Sequence, residues 1–477
     1  MFLFLLACSS TPNSILRSDE IQSFEVGSHV ATVSQTHLSV ALDLGQVLGA
    51  EFWNPDIEAE EAEIEYPEYD FSRPLLHVLA KELSPALLRI GGTESDRIYY
   101  AMDQDIPNPL PDGYTSVLTS THWDRVSTFA QEVGFELFFT VNAGPGPRNE
   151  GSWNNENTKR LFSYAQGSPV AVWEFGNEPN GFPLFYGFSL EPAEYASDTE
   201  TFSAQVAEWF PDSQVAGPAV AYWPILGEFS PYTGDVIANE PNLDIITWHY
   251  YPTQSPRCPI QNRLGELDTL QNPENLNEIL VWHNEIQSHI DESNLDIELW
   301  LGETGNAQCG GVPAVSDRWA GSMWWIDQLG LMARNGEPVM IRQTLSGSDY
   351  GLLDDTTLKP RPDYWASVLW KRLMGIKVLD ISNDDANMRI YGHCHPTEGV
   401  TFVAINLHQD KSIGFAQSGT AYTLEADGLD AANIRLNGEE LSLVGDTLPS
   451  LEGTEQTEWV IPSQGISFLH QPQRTCP

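Results

Sequence analysis

The chain has 477 residues, with 23 lysines and arginines against 67 aspartates and glutamates and a formal charge of −44. Such a surface repels nucleic acid and densely sulfated polymers over most of its area, so nucleic-acid binding is excluded as the main function. The length predicts a large catalytic domain of roughly 300 residues with a smaller second domain. The acid is spread along the whole sequence, as in a highly solvated surface in salty water.

The first residues, Met1 to Ala7, form a short apolar run ending at Cys8 and followed by the polar stretch Ser9 to Ser14. This pattern predicts a bacterial lipoprotein signal with Cys8 as the lipidated residue. The expectation is an exported protein, periplasmic or at the outer-membrane surface, attached to a membrane only through that lipid. Setting Cys8 aside leaves four cysteines, Cys258, Cys309, Cys394 and Cys476, which suit disulfides in an exported chain. Three pairings are open. The shared β-rich region of Cys394 and Cys476 favours joining those two, leaving Cys258 with Cys309.

After a signal and linker over 1–20, the stretch Ser23 to Val33 alternates in polarity. It predicts an N-terminal strand, within 21–36, that joins a later sheet. Eight strand-like runs then alternate with helix-length segments: 37–45, 85–91, 136–142, 170–176, 213–218, 243–250, 296–302 and 338–344. Repeated βα units of this kind predict a closed parallel (β/α)8 barrel, a TIM barrel, over 37–375. Several runs, including Glu136 to Asn142 and Asp244 to His249, are nearly continuously apolar, as strands buried on both faces are. The acidic run Asp56 to Asp70 reads as a solvated loop after the first strand. Helical spacing marks Arg73 to Leu83, Asn275 to His289 and Val315 to Arg334. In the last of these, Trp319, Met323, Ile326 and Ala333 form an apolar stripe for core packing.

Beyond 376 the helical signal stops and alternating strands follow: Met388 to His393, Val400 to Leu407, Ala421 to Glu425, Asn433 to Leu436 and Gly465 to His470. Asn437-Gly438 between apolar-alternating flanks predicts a two-residue hairpin. The region 376–477 is therefore expected to be a β-sandwich, to which the N-terminal strand is added.

In such a barrel the loops after the strands' C-terminal ends form the open mouth, and catalytic groups sit there. Two segments end in carboxylates at such positions. Trp173-Glu-Phe-Gly-Asn-Glu-Pro-Asn180 places Glu178 after the fourth strand, and Leu299-Trp-Leu-Gly-Glu-Thr304 places Glu303 after the seventh. Glycoside hydrolysis needs two facing carboxyl groups, and an asparagine beside the acid, here Asn177, can bond the sugar 2-hydroxyl. The sequence offers no phosphate loop and no metal-ligand spacing, so no cofactor is implied.

On these segments the chain resembles glycoside hydrolase family 79, the heparanase and β-glucuronidase family. The likeness is carried by Ser84-Pro-Ala-Leu-Leu-Arg-Ile-Gly-Gly-Thr93, Trp173 to Asn180, Trp300-Leu-Gly-Glu-Thr304 with Gly310-Gly311, Arg342-Gln343, and Pro362-Asp-Tyr-Trp365. Tyr391-Gly-His-Cys394, Ala404-Ile-Asn-Leu-His408 and Cys476 resemble the family's β-domain with its disulfide. The resemblance implies a retaining enzyme with Glu178 as acid/base and Glu303 as nucleophile. It also implies that Cys309, Gly310 and Tyr350 recognise a uronate carboxylate, and that Asp43, Thr93, Asn142 and Gln343 contact the sugar. Tyr250 or Tyr251 is expected to orient Glu303. Cys309 stands where the family often has glycine, and the segment from Gln343 to Tyr350 is one residue shorter than in the animal enzymes.

The expected substrate is a glycan bearing β-linked glucuronic acid, with little or no sulfate because the basic clusters of heparanases are missing here. An endo-acting heparanase-like enzyme is the alternative. A non-catalytic, surface-anchored glycan-binding lipoprotein is the alternative of another class.

Overall fold

The computed structural model describes residues 17–477 apart from 55, 150 and 229. Cys8 and the signal segment lie outside these described residues. Eight parallel strands close a barrel in chain order: Leu38–Asp43, Ala86–Gly91, Phe135–Val141, Val170–Phe175, Gln214–Tyr222, Ile245–Tyr250, Glu298–Thr304 and Met340–Arg342. These are the eight expected runs, with ends that differ by a few residues.

The inward-facing side chains change character along the barrel axis. At the bottom, Ala41, Leu87, Phe138, Val172, Ala216, Ile245, Trp300, Val339 and Ile341 form a dry apolar plug. One layer up, Arg89, Thr140, Glu174 and Thr247 are buried and polar, and above them the mouth opens. The outward faces pack on the surrounding helices through a single large core that includes Leu76, Trp123, Phe162, Phe202 and Ile286.

The helix Trp319–Arg334 begins later than its sequence pattern suggests, and every residue from Trp319 to Ala333 is buried. A one-sided stripe was the expectation. The helix is enclosed because the barrel covers one side and the β-sandwich the other. Tyr391 from the sandwich packs where a Cβ on Gly330 would sit, and its hydroxyl donates to Asp327 Oδ1 at 2.6 Å. Arg389 Nε donates to the same carboxylate at 2.7 Å, so the two domains share a buried polar clamp as well as apolar surface.

The N-terminal strand Glu25–Thr32 pairs antiparallel with Lys377–Ser382 and forms one edge of the large sandwich sheet. The preceding residues Glu20–Gln22 form a further strand that pairs parallel with Ile413–Phe415 in the second sheet. Thus the N-terminal stretch contributes to both layers. Phe24 lies between these two strands and packs edge-on against Phe402 and Phe415, which explains the split. The hairpin at Asn437 and Gly438 joins Arg435–Leu436 to Glu439–Glu440, with φ of 51° and 86° at the two turn residues. Those positive values are what a two-residue primed turn requires.

Both disulfides join the expected partners, Cys258 with Cys309 and Cys394 with Cys476, each with Cα atoms 5.5 Å apart. Among the described residues no helix is long and apolar enough to cross a membrane.

The acidic stretch Asp56 to Asp70 departs from a plain solvated loop. It supplies Glu63–Glu65, which pairs antiparallel with Glu51–Trp53 to form a flap beside the barrel mouth. Glu63 and Trp53 both line the cleft there.

Candidate active site

The barrel mouth holds a cleft lined by residues from most of its loops, among them Asp43, Trp53, Thr93, Asn177, Glu178, Trp223, Tyr251, Glu303, Cys309, Gln343 and Tyr350. Glu178 and Glu303 are both nearly buried. Together with His249 they offer oxygen and nitrogen atoms that all lie within 4.8 Å of one another. The two acids are therefore brought to one spot from positions far apart in the chain.

A change of register aims Glu303. The sixth and seventh strands pair Trp248 with Leu301 and then His249 with Glu303, skipping Gly302. Trp300 sits in the barrel interior, and a Cβ on Gly302 would meet Thr247 and Glu174 there. Strict alternation would therefore turn Glu303 outward, toward the helices. The bulge restores it to the mouth, a common use of bulges beside functional sites.

Glu303 then receives two donors: Arg89 Nη1 at 2.8 Å on Oε2, and the Tyr251 hydroxyl at 2.6 Å on Oε1. Arg89 also donates from Nε to Glu174 at 2.9 Å and from Nη2 to the Asn177 side-chain oxygen at 2.8 Å. Glu174 accepts further hydrogen bonds from the Thr140 and Thr247 hydroxyls at 2.7 and 2.8 Å. One guanidinium thus fixes Glu303, Asn177 and the polar floor together.

Glu178 adopts a left-handed backbone, φ 54° and ψ 53°, which a residue with a side chain takes up only under constraint. The constraints are visible. Its N–H donates to Ala219 at 3.0 Å, and the Asn177 N–H next to it donates to Asp96 Oδ2 at 2.8 Å. Asp96 also accepts from the Ala143 N–H at 2.8 Å, tying the loops after the second, third and fourth strands together.

Glu178 Oε1 lies 2.9 Å from His249 Nδ1. Burial, opposed by Arg89, pushes the Glu178 carboxyl up to about 7. Burial likewise pushes the His249 imidazole down to about 4, so it stays neutral beside the two acids. Asp43, which caps a short helix by accepting from the Gly45 N–H at 2.9 Å, is pushed up to about 8, again by burial.

The other expected site residues divide. Thr93, Asn177, Tyr251, Cys309, Gln343 and Tyr350 line the cleft, and Gln343 Nε2 lies 3.4 Å from the Tyr350 hydroxyl. Gly310 is packed under the flap, where a Cβ would collide with Trp53 and Ser348. Cys309, Gly310 and Gly311 have φ of 60°, 83° and 84°, so this loop turns back sharply on itself.

Two residues fall outside. The Asn142 side chain is spent on backbone, donating to Ile98 at 3.0 Å and accepting from the Gly144 N–H at 2.8 Å. Tyr250 points the other way along its strand, its hydroxyl donating to Glu278 at 3.2 Å, so of the adjacent tyrosines only Tyr251 reaches Glu303.

Arg89, His249, Glu174 and Asp96 were not singled out from sequence. The signal for three of them is a polar or charged residue inside an otherwise apolar strand: Arg89 in Ala86–Gly91, Glu174 in Val170–Phe175 and His249 in Ile245–Tyr250. The sequence has no metal-ligand spacing, yet the fold gathers Glu178, His249 and Glu303 as a three-ligand set. Their atoms are already bonded to one another or to Arg89 and Tyr251, and the Arg89 guanidinium supplies the positive charge beside Glu303.

Comparison with known proteins agrees with this geometry. Residues 67–330 match the N-terminal domain of glycosyl hydrolase family 79. The chain is 30% identical to heparanase of Gallus gallus over 448 residues, covering 79% of this chain and 83% of that protein. It is 30% identical to heparanase-like protein 1 of Arabidopsis thaliana, covering 71% of this chain and 65% of that one. It is 27% identical to baicalin-β-D-glucuronidase of Scutellaria baicalensis, covering 85% and 84%. Among solved structures, a 4-O-α-L-rhamnosyl-β-D-glucuronidase from Fusarium oxysporum superposes with a TM-score of 0.66 at 14% identity, covering 94% of this chain and all of that one. A family 51 α-L-arabinofuranosidase from Thermotoga petrophila gives 0.64, also at 14%. These two likenesses are of fold. By the family match and the heparanase likeness, the chain belongs to glycoside hydrolase family 79 and is a glycoside hydrolase.

Proposed function

We propose that this enzyme is a retaining β-glucuronidase that hydrolyses β-linked glucuronic acid by double displacement, with Glu303 as nucleophile and Glu178 as acid/base. The observation that carries the reading is the carboxyl pair, an oxygen of each lying within 4.8 Å of the other. Retaining enzymes need a separation of about 5–5.5 Å, whereas inverting ones need room for a water at about 6.5–9.5 Å.

The chemistry follows from the environments. Glu178, protonated up to about pH 7, gives its proton to the glycosidic oxygen as the bond breaks. Glu303, aligned by Arg89 and Tyr251, attacks the anomeric carbon and forms a glycosyl ester. Glu178, now a carboxylate, takes a proton from water, and the hydroxide so formed releases the sugar. Asn177, its carbonyl oxygen held by Arg89, turns its amide toward the sugar 2-hydroxyl.

For the uronate carboxylate we assign the turn at Cys309 and Gly310 together with Gln343 and the Tyr350 hydroxyl. Backbone N–H groups in a tight turn bind an anion without a lysine, which suits so acidic a chain. Asp43, neutral up to about pH 8, adds a carboxylic donor instead of a repelling charge. The similarity to baicalin-β-D-glucuronidase supports a glucuronide glycone. Heparanase-like cleavage of sulfated chains is less supported. Among the described cleft-lining residues, Glu51, Glu63 and Glu94 stand against the single cation Arg97. The two disulfides support export to an oxidising compartment, which we propose as the enzyme's location.

Hydrolysis of nitrophenyl β-glucuronide and β-glucoside tests the reading. The glucuronide is expected to be cleaved, and Glu178→Gln and Glu303→Gln each to abolish most of that activity. Cleavage of the glucoside alone would replace the uronate pocket with a neutral-sugar site.

A further inference from the structure

We infer that the leaving-group half of the cleft is an apolar shelf, and that the substrates are β-glucuronides of aromatic or otherwise apolar alcohols rather than uronate polysaccharides. This rests on the glucuronidase reading and concerns the side of the cleft that reading leaves open.

The acid/base protonates the leaving oxygen, so the leaving group lies on the side of Glu178. Glu178 follows the fourth strand, and the fifth and sixth strands are its successive neighbours in the barrel. The loop after the fourth strand is bound to the end of the fifth. Asn180 and Ala221 exchange hydrogen bonds at 3.0 and 3.2 Å, and the Glu178 N–H is held by Ala219. Apart from Asn177, Glu178 and Tyr251 at the reacting centre, the loops after these three strands line the cleft with Leu184, Phe185, Trp223, Cys258, Pro259 and Ile260. There is no charge among these six. Of the cleft's other acids, Asp43, Glu51, Glu63 and Glu94 come from the first strand and the loops after the first and second, and Glu303 from the seventh strand.

The apolar residues also extend out of the cleft into solvent. Leu184 is 59% exposed and Ile260 40%, and next to Trp223 stand Ile225 at 56% and Leu226 at 49%. Single exposed leucines are ordinary, but Leu184 and Ile260 both line the active-site cleft while exposed, which marks a binding surface. The exposure is enforced. Trp223 and Gly227 exchange backbone hydrogen bonds at 2.9 Å, closing a tight loop. Within it Ile225 sits at φ 71°, a strained value for a β-branched residue, with its N–H held by Glu278 at 2.8 Å. The Cys258–Cys309 disulfide in turn anchors the segment carrying Pro259 and Ile260 to the nucleophile's loop. A hydrated polysaccharide would leave the side chains of Leu184 and Ile260 in water. An apolar aglycone would cover them.

The test compares kcat/KM for 2-phenylethyl and methyl β-glucuronide, whose leaving alcohols are of similar acidity, in the wild type and in Leu184→Ser and Ile260→Ser. The expected result is a preference for the phenylethyl compound of about tenfold or more, falling severalfold in each variant. Should Leu184→Ser fail to fold, Phe185→Ser, at a half-buried cleft-lining position, supplies the second variant. A wild-type ratio near one, a ratio untouched by the substitutions, or better use of an unsulfated glucuronate-terminated oligosaccharide would overturn the inference. β-Glucuronyl fluoride, which has the same glycone and no aglycone, separates the two claims. Its cleavage with a flat ratio sinks only the shelf, and its survival sinks the glucuronidase reading itself.

Discussion

His249 Nδ1 stands 2.9 Å from Glu178 Oε1 and 3.9 Å from Glu303 Oε2, so one buried imidazole touches the proposed acid/base and neighbours the proposed nucleophile. Its Nε2 has no hydrogen-bond partner among the described residues. The ring therefore acts toward the mouth through Nδ1, and by filling space it keeps water away from Glu178. We assign it as a positioning residue that holds Glu178 protonated and in place.

Replacing it by alanine would admit water and relieve the burial that raises Glu178. His249→Ala is expected to lower kcat about 10–100-fold, the usual range for disturbing a general acid, and to move the alkaline limb of its pH profile to lower pH. A pH–rate profile checks this. A purely structural role would lower activity at every pH and leave the limb where it was.

The raised carboxyl groups also make stability depend on pH. Burial lifts Glu178 from 4.5 to about 7, Asp96 from 3.8 to about 7 and Asp43 from 3.8 to about 8. In each case the folded protein keeps a proton that the unfolded chain releases earlier. The contribution to stability is thus full below the unfolded values and is lost as pH rises through the folded ones. Between about pH 4 and 8 these three groups make unfolding easier as pH rises, and Asp43→Asn should flatten that slope in urea titrations. An unchanged slope would show that Asp43 is already ionised near neutral pH.

Arg89 is buried between Glu174 and Glu303 at 2.8 Å from each. Removing one partner of such a network leaves an uncompensated charge, and Arg89→Met is expected to cost about 3–5 kcal/mol by stranding Glu174. The double variant with Glu174→Gln should regain part of the loss. Denaturant midpoints measure both.

The Cys258–Cys309 bond closes a segment with a sequence separation of 51. Loop-closure entropy alone puts its stabilisation at about 4 kcal/mol. Because Cys309 lines the cleft, Cys258→Ser/Cys309→Ser should lower Tm and raise KM for the glucuronide together, with a smaller effect on kcat. A loss of stability with unaltered KM would separate the bond from substrate recognition.

Much of this architecture was legible because periodicity reports burial. The eight barrel strands are runs with both faces covered, and their order follows from the alternation with helices. Glu178 and Glu303 were legible as charges at the ends of apolar strands. Arg89, Glu174 and His249 carry the same kind of signal in strand interiors, where sequence alone does not tell a satisfied core charge from a catalytic one. Local pattern also could not choose between Tyr250 and Tyr251. The choice depends on the register between two strands and on the bulge at Gly302, a tertiary feature with no sequence period. The placement of Asn142 was hidden for a related reason: its amide is bonded to the backbone of Ile98 and Gly144, a contact made only once the barrel closes. The flap formed by Glu51–Trp53 and Glu63–Glu65 was hidden by its acidity, which reads as solvated loop although Glu63 faces the cleft.

The most direct test of the paired-glutamate account is trapping with 2-deoxy-2-fluoro-β-glucuronyl fluoride followed by peptide mass mapping. The account predicts a covalent fluorosugar on Glu303, slower to turn over in Glu178→Gln, and none in Glu303→Gln. A label on another residue, or hydrolysis with inversion and no covalent adduct, would contradict it.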